Sequence, residues 1–316
     1  MKISPGNSFR HPSNILGKRQ RKAVVIAVIE VGCEPNSLAL SDRDSTVWVC
    51  NALDSTLSVI DTTAHQVVAV IRLPIQPLAM VIDRSGRRGY VTGLGKPLLM
   101  VIDIAARRVI GRIISGEGHA LAINAEGTRV YVNANSPAKC RICVIDTASA
   151  SMIDSIETGS FTSAAVLAAH GRLFYCDYIH HALKVLDTDT GEITTALSLP
   201  APLEEIAIVA AQDVGYLPYR TSDGIVAKID LTSYDVLDLL PAPALPHGLI
   251  INPNGDLACC CSASERRLTI IDTATWQVVS RFQAGEYPQG PAFSADGSRL
   301  YVCDASGDTV WVVALD

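Results

Sequence analysis

Charge is scarce in this chain. Asp, Glu, Lys and Arg make up 18% of its 316 residues while apolar residues make up 48%. Against a typical charged share of about 25%, that balance excludes intrinsic disorder and demands a large core. Long apolar runs are missing as well. The longest unbroken one, residues 23–29, falls far short of the roughly 18 to 20 residues that a bilayer helix needs, so no transmembrane helix is expected. Residues 1–22 carry six Lys or Arg and no Asp or Glu, but they lack the apolar stretch and small-residue cleavage site of a signal peptide, which points to the cytoplasm. Nine cysteines, odd in number and without disulfide-framework spacing, fit a reducing compartment. No GxSxG nucleophile elbow and no GxGxxG or Walker-type loop is present, so no nucleotide cofactor is expected.

What is there is repetition. An aliphatic pair followed by Asp recurs as Val59-Ile60-Asp61, Val101-Ile102-Asp103, Val144-Ile145-Asp146, Val185-Leu186-Asp187, Lys228-Ile229-Asp230 and Ile270-Ile271-Asp272, with a degenerate Val312-Val313-Ala314. Successive spacings are 42, 43, 41, 43, 42 and 42 residues, which makes seven repeats. Each holds four short β-rich runs separated by Gly, Asp and Asn, and the period-2 alternation means antiparallel strands and hairpins. A four-stranded unit of about 40 to 45 residues, repeated, is a propeller blade. The phase predicts an all-β, seven-bladed β-propeller over residues 23–316, a single domain preceded by a basic arm, residues 1–22. The last blade has only three strands of its own. A strand at about 24–31 is expected to supply the fourth and close the ring.

Tyr90-Val91-Thr92-Gly93, Tyr131-Val132-Asn133-Ala134 and Tyr301-Val302-Cys303-Asp304, each leading into an Ile-Asp-type strand, resemble the repeats of the YVTN family of seven-bladed β-propellers. The resemblance covers residues 24–316 and implies the fold, without a shared catalytic set. At fold level the chain is also similar to lactonase-type seven-bladed propellers, an analogy that carries no residues. Cys259 and Ala314 stand where the pattern has Tyr and Asp, so blades six and seven are expected to be less regular.

Several residues that invite chemistry are better read as structure. The repeated Asp is placed to accept backbone N–H bonds in the following turn. One large aromatic per blade except the sixth, where Cys259 stands, namely Trp48, Tyr90, Tyr131, Phe174, Tyr216 and Tyr301, suits packing between blades. Cys140 and Cys143 form a CxxC pair, but residues three apart on a strand face opposite sides, so zinc is not expected there. Cys50, Cys176, Cys261 and Cys303 share one repeat position and are expected as small buried fillers. The arm carries +6 and residues 23–316 carry 20 basic against 32 acidic side chains, a net −12, a body that would repel phosphate; nucleic acid is not an expected partner, nor is a membrane.

The axis is where function is expected. Aligning the repeats on Pro35, Pro77, Gly118, Thr162, Leu203, Pro246 and Pro288, the next position reads Asn36, Leu78, His119, Ser163, Glu204, His247 and Gln289, and the one after it Ser37, Ala79, Ala120, Ala164, Glu205, Gly248 and Gly290. The second column is mostly small, as packing around an axis demands. The first is polar in six blades and divergent, whereas structural columns converge. His119, Glu204 and His247 are the expected catalytic residues and the expected ligands of one divalent metal ion, if one is bound at all: two imidazoles and a carboxylate suit a metal or an acid–base pair. Asn36, Ser163, Glu205, Gln289, Phe161, Tyr287, Tyr219 and Arg220 are the expected ligand-binding set, the last two as a clamp for an anion or carbonyl. Short rim loops favour a small-molecule ligand. Two function classes follow: an enzyme of hydrolase, lyase or isomerase type working in the axial funnel, or a non-catalytic scaffold that binds a protein partner through the rim, or a small ligand.

Overall fold

The computed structural model describes residues 23–315 apart from 42–43, 137–138, 168–170, 204 and 210–211. The basic arm and Glu204 therefore lie outside the described residues. Twenty-eight strands form seven four-stranded antiparallel sheets. The innermost strands of blades one to seven are Pro35–Leu40, Gln76–Ile82, Gly118–Ile123, Thr162–Leu167, Ala207–Val209, His247–Ile251 and Pro288–Phe293, and from blade five through blades six, seven, one, two and three to blade four neighbouring inner strands pack against each other. In the seventh sheet the outer strand is Ala23–Glu30, paired with Thr309–Leu315 from Ala23↔Leu315 to Glu30↔Thr309. The ends of the chain thus close the ring as the phase predicts. Among the described residues no helix is long and apolar enough to cross a membrane.

The repeat builds each blade by the same local chemistry. The second and third strands are buried on both faces, as in Thr46–Asn51 and Thr56–Asp61, while outer strands such as Gln66–Arg72 alternate. This follows from a sheet sandwiched between its neighbours at its middle and open at its rim. The repeat Asp ends the third strand and caps the turn: Asp61 Oδ1 accepts the N–H groups of Thr63 and Ala64 at 2.9 and 2.8 Å, and Asp146, Asp187 and Asp230 do the same in their blades. Those bonds, and at Asp146 first of all the one from the Ser149 hydroxyl, favour the ionised form, so the four carboxyls lie below their ordinary range. After Asp61, Asp146 and Asp272 the hydroxyl of the following Thr ties the turn to the first hairpin, Thr147 Oγ1 donating to Gly127 O at 2.7 Å.

Hydrophobic clusters lie between blades. Trp48 and Cys50 of blade one pack with Met80, Val91 and Met100 of blade two, and Tyr301 and Cys303 of blade seven with Val47 and Val49 of blade one. The expected aromatic column is buried throughout. Replacing one of these rings by Ala should cost about 3–5 kcal/mol. All nine cysteines are free thiols; Cys50, Cys176, Cys261 and Cys303 are buried fillers, and Cys143 donates its S–H to Ser115 O at 2.7 Å. On the side of the turns, arginines latch blade to blade: Arg88, Arg172 and Arg299 donate to the carbonyls of Thr147, Leu231 and Thr62, each the residue after the repeat Asp of the next blade.

Candidate functional site

The inner strands enclose a funnel of about 690 Å³ on the axis, and Asn36, Leu78, His119, Ser163, His247 and Gln289 all line it. The second column lines it too, from Ser37 through Glu205 to Gly290. Sequence alignment alone thus placed side chains from blades one to seven in one cavity. Each long inner strand carries a β-bulge where it reaches the funnel, and a bulge re-aims the side chain left out of the ladder. In blades one, two and three that residue is Asn36, Leu78 and His119, because pairing jumps from Pro35 to Ser37, from Pro77 to Ala79 and from Gly118 to Ala120. In blade six the jump is from His247 to Leu249, so Gly248 is left out; in blade seven it is from Gln289 to Ala292. Gly248 and Gly290 have φ of 58° and 51°, backbone that an L side chain adopts at a cost. They therefore serve the bulge as well as the close packing.

Three polar residues of the first column are spent on the neighbouring blade. Ser163 Oγ donates to Leu203 O at 3.0 Å, Gln289 Nε2 to Pro35 O at 3.2 Å, and His247 Nε2 to Pro288 O at 3.0 Å. In each case the acceptor is the carbonyl one position before the same column in the next blade. A carbonyl oxygen only accepts, so Nε2 of His247 carries the proton of its 3.0 Å bond, while Nδ1 lies 3.5 Å from a second carbonyl, Leu245 O. The His247 ring lies 5.7 Å from that of Tyr287. Asn36 and His119 differ: their side chains have no hydrogen-bond partner among the described residues.

His119 is half-buried, its ring edge-on to Phe161 at 5.1 Å, and Phe161 is in turn edge-on to Tyr178 at 6.3 Å. Burial lowers its pKa and the Glu117 carboxylate only partly opposes this, so the imidazole is neutral at neutral pH. Glu205 Oε2 accepts the N–H of Leu249 across the blade boundary. Among the described residues no group of three or more His, Cys, Asp or Glu side chains is arranged to hold a metal ion; Glu204, the third member of the expected set, is not one of them.

Three expected ligand contacts, Tyr219, Arg220 and Tyr287, lie outside the funnel lining. Tyr219 is buried in the core between blades four and five, packed with Leu217 and Ala227, and burial pushes its hydroxyl up to about 12. It is therefore a packing residue and no part of a clamp: at the end of the second strand the side chain turns inward, as do Asn51, Asn135, Asp177, Ser262 and Asp304 at the equivalent position. Arg220 lies with His247 and Tyr287 in a smaller cavity of about 240 Å³ beside the funnel. The same inward column holds a cluster that no motif in the sequence announces. Asp177, its side chain fully buried, accepts Lys184 Nζ at 2.8 Å and His180 Nδ1 at 3.0 Å, next to the funnel residue Tyr178. Its one signal in the sequence is Lys184, a lysine where the equivalent residues of blades one and two are Ser58 and Met100.

Relatives agree with this architecture. "Uncharacterized protein YncE" of Salmonella typhimurium strain LT2 is 24% identical over 245 residues, 70% of this chain and 67% of that protein. The protein of the same name from Escherichia coli strain K12 is 25% identical over 255 residues, 73% and 69% of the two chains. "Seven-bladed beta-propeller protein Rv1057" of Mycobacterium tuberculosis is 21% identical over 328 residues, 90% of this chain and 83% of that one. The chain is a seven-bladed β-propeller. The YVTN resemblance of its repeats is consistent with these relatives, and no protein-family model matches. Among solved structures, Kuenenia stuttgartiensis hydrazine synthase aligns with TM-score 0.81 over 96% of this chain and 99% of that chain at 18% identity, a likeness that shows the fold alone.

Proposed function

We propose that this propeller acts on a small molecule held in the axial funnel, by acid–base chemistry of the hydrolase, lyase or isomerase kind, with His119 as the group that takes or gives the proton. One observation carries the reading: a neutral imidazole, left out of the strand ladder and without a hydrogen-bond partner among the described residues, lines a cavity of about 690 Å³. A structural histidine is normally committed, as His247 is to Pro288; an uncommitted neutral one offers both a lone pair and an N–H to a substrate. His247 and Glu205 then order the opposite wall. A divalent ion would require His119, His247 and Glu204 together.

The test is turnover of neutral esters and lactones by purified protein, with γ-butyrolactone and 4-nitrophenyl acetate as probes. Loss of a positioned proton-transfer group lowers the rate by about 10²–10⁴, so the H119A variant, with thermal unfolding unchanged, should lose that much. Elemental analysis of the wild type, H119A and H247A tests the metal version in the same preparations. Equal activity in wild type and H119A on any substrate found would defeat the assignment. It would leave the rim scaffold, for which exposed Leu53 and Ile179 are the residues to change in a pull-down.

A further inference from the structure

The blades do not contribute equally to the funnel, and the inequality has a direction. Ser163, His247 and Gln289 have given their hydrogen bonds to the next blade, and they stand on blades four, six and seven. Blades one, two and three share one bulge register, which presents Asn36, Leu78 and His119 as three consecutive re-aimed side chains. In blade four the ladder leaves out Ser163 together with Ala164, so the single-residue register ends at blade three, and the committed hydrogen bonds begin at blade four. We infer that the ligand lies against blades one to three, held by Asn36 and His119 across the apolar Leu78, and is a small uncharged carbonyl compound with a planar body. This rests on the funnel reading proposed above and deepens it.

Charge selects the class. No Lys or Arg lines the funnel among the described residues, whereas the Glu205 carboxylate does, and residues 23–316 carry a net −12. An anion would enter against that field with no cation to receive it. Arg220 is outside the funnel, in the adjoining cavity beyond His247, and is already engaged in an interaction. A cation meets the opposite difficulty, since Asn36 and His119 bring no negative charge and Glu205 is occupied by Leu249 N. A neutral carbonyl suits both groups: the Asn36 amide and the imidazole each provide one kind of donor and one acceptor. On the side of blade four, the edge-on rings of Phe161 and Tyr178 bound this arc next to His119 and form a wall for a flat body.

Benzamide and benzoate test this, being of one size and shape and differing in charge. With isotope-labelled full-length protein, benzamide should shift the His119 ring signals with a dissociation constant on the order of 10 mM, as suits nine heavy atoms, and benzoate should bind about tenfold more weakly. N36A and H119Q should each weaken benzamide about fivefold, one hydrogen bond's worth, with unfolding midpoints close to that of the wild type. Benzoate binding as well as benzamide would overturn the ligand class. Benzamide shifts centred on Ser163 and Gln289 that survive N36A and H119Q would overturn the choice of arc and leave the funnel reading standing. If neither probe perturbs any funnel residue, the arc and the funnel reading fall together.

Discussion

Two titrating side chains show how position sets chemistry at the scale of a single residue. His119 is pushed down by burial and held up in part by Glu117. Its nuclear magnetic resonance titration should therefore have a midpoint below the usual value of about 6.5, and E117Q should lower it further by removing the opposing charge. A midpoint above that of a model histidine would contradict the burial on which its role as a base depends. Asp177 shows the opposite balance. Burial raises its carboxyl, but Lys184 and His180 more than compensate and hold it at about 2. A depressed carboxylate contributes stability that is complete above its unfolded value of about 3.9 and is lost as the pH falls from there. The D177N variant should be destabilised by about 3 kcal/mol near neutrality, since it strands a nearly buried lysine. Denaturant unfolding at a series of pH values should show the gap to wild type closing as the pH falls through 4 toward 2. A gap that stays constant with pH would mean that the charge on Asp177 contributes nothing.

At the scale of the strand, the bulge decides what the funnel sees. The alignment columns were legible because blades repeat at nearly constant spacing, and a divergent column inside a convergent repeat exposes itself. The register of the bulge was not legible: Gly118-His119-Ala120 and Pro246-His247-Gly248 look equivalent as strings. They differ because Gly248 adopts φ of 58° and moves the unpaired position one residue on. The small residues of the second column reflect packing, but the glycines there also reflect backbone. Tyr219 was misplaced for a similar reason. It ends its strand beside a loop, and nothing in its own identity tells that the pleat turns that position inward, whereas the polar but buried Asn51, Asn135 and Asp304 do when read together. Gly290 makes the point testable. A Cβ there would lie 2.3 Å from Asn36 O in the neighbouring blade, on a backbone with φ of 51°. G290A should lose at least about 1–2 kcal/mol from the left-handed backbone alone, and more from the contact. Thermal unfolding that matches wild type would show that the inner strands of blades one and seven do not approach as described.

At the scale of the whole molecule, one strand from the amino end converts a row of sheets into a ring. The repeat phase makes that strand legible in the sequence, because six blades own four runs and the seventh owns three. How it holds is a separate matter. Of the eight residues Ala23–Glu30 only Ile29 is buried, and Val24, Val25, Ile26 and Val28 are exposed. Burying Ile29 contributes roughly 2 kcal/mol, so closure rests chiefly on the backbone ladder that runs from Ala23↔Leu315 to Glu30↔Thr309. Deleting residues 1–30 should therefore leave the interblade clusters of blades one to six in place and the strand Thr309–Leu315 as an open edge. An open, apolar edge pairs with another chain. The truncated protein should keep its β-sheet circular dichroism yet elute larger than the full-length chain at equal concentration, increasingly so as concentration rises. A peptide of residues 21–31, added in excess, should reverse the association by refilling the edge. Truncated protein that elutes smaller in proportion to its mass, or association that the peptide leaves untouched, would mean that the ladder to Thr309–Leu315 is not what closes the ring.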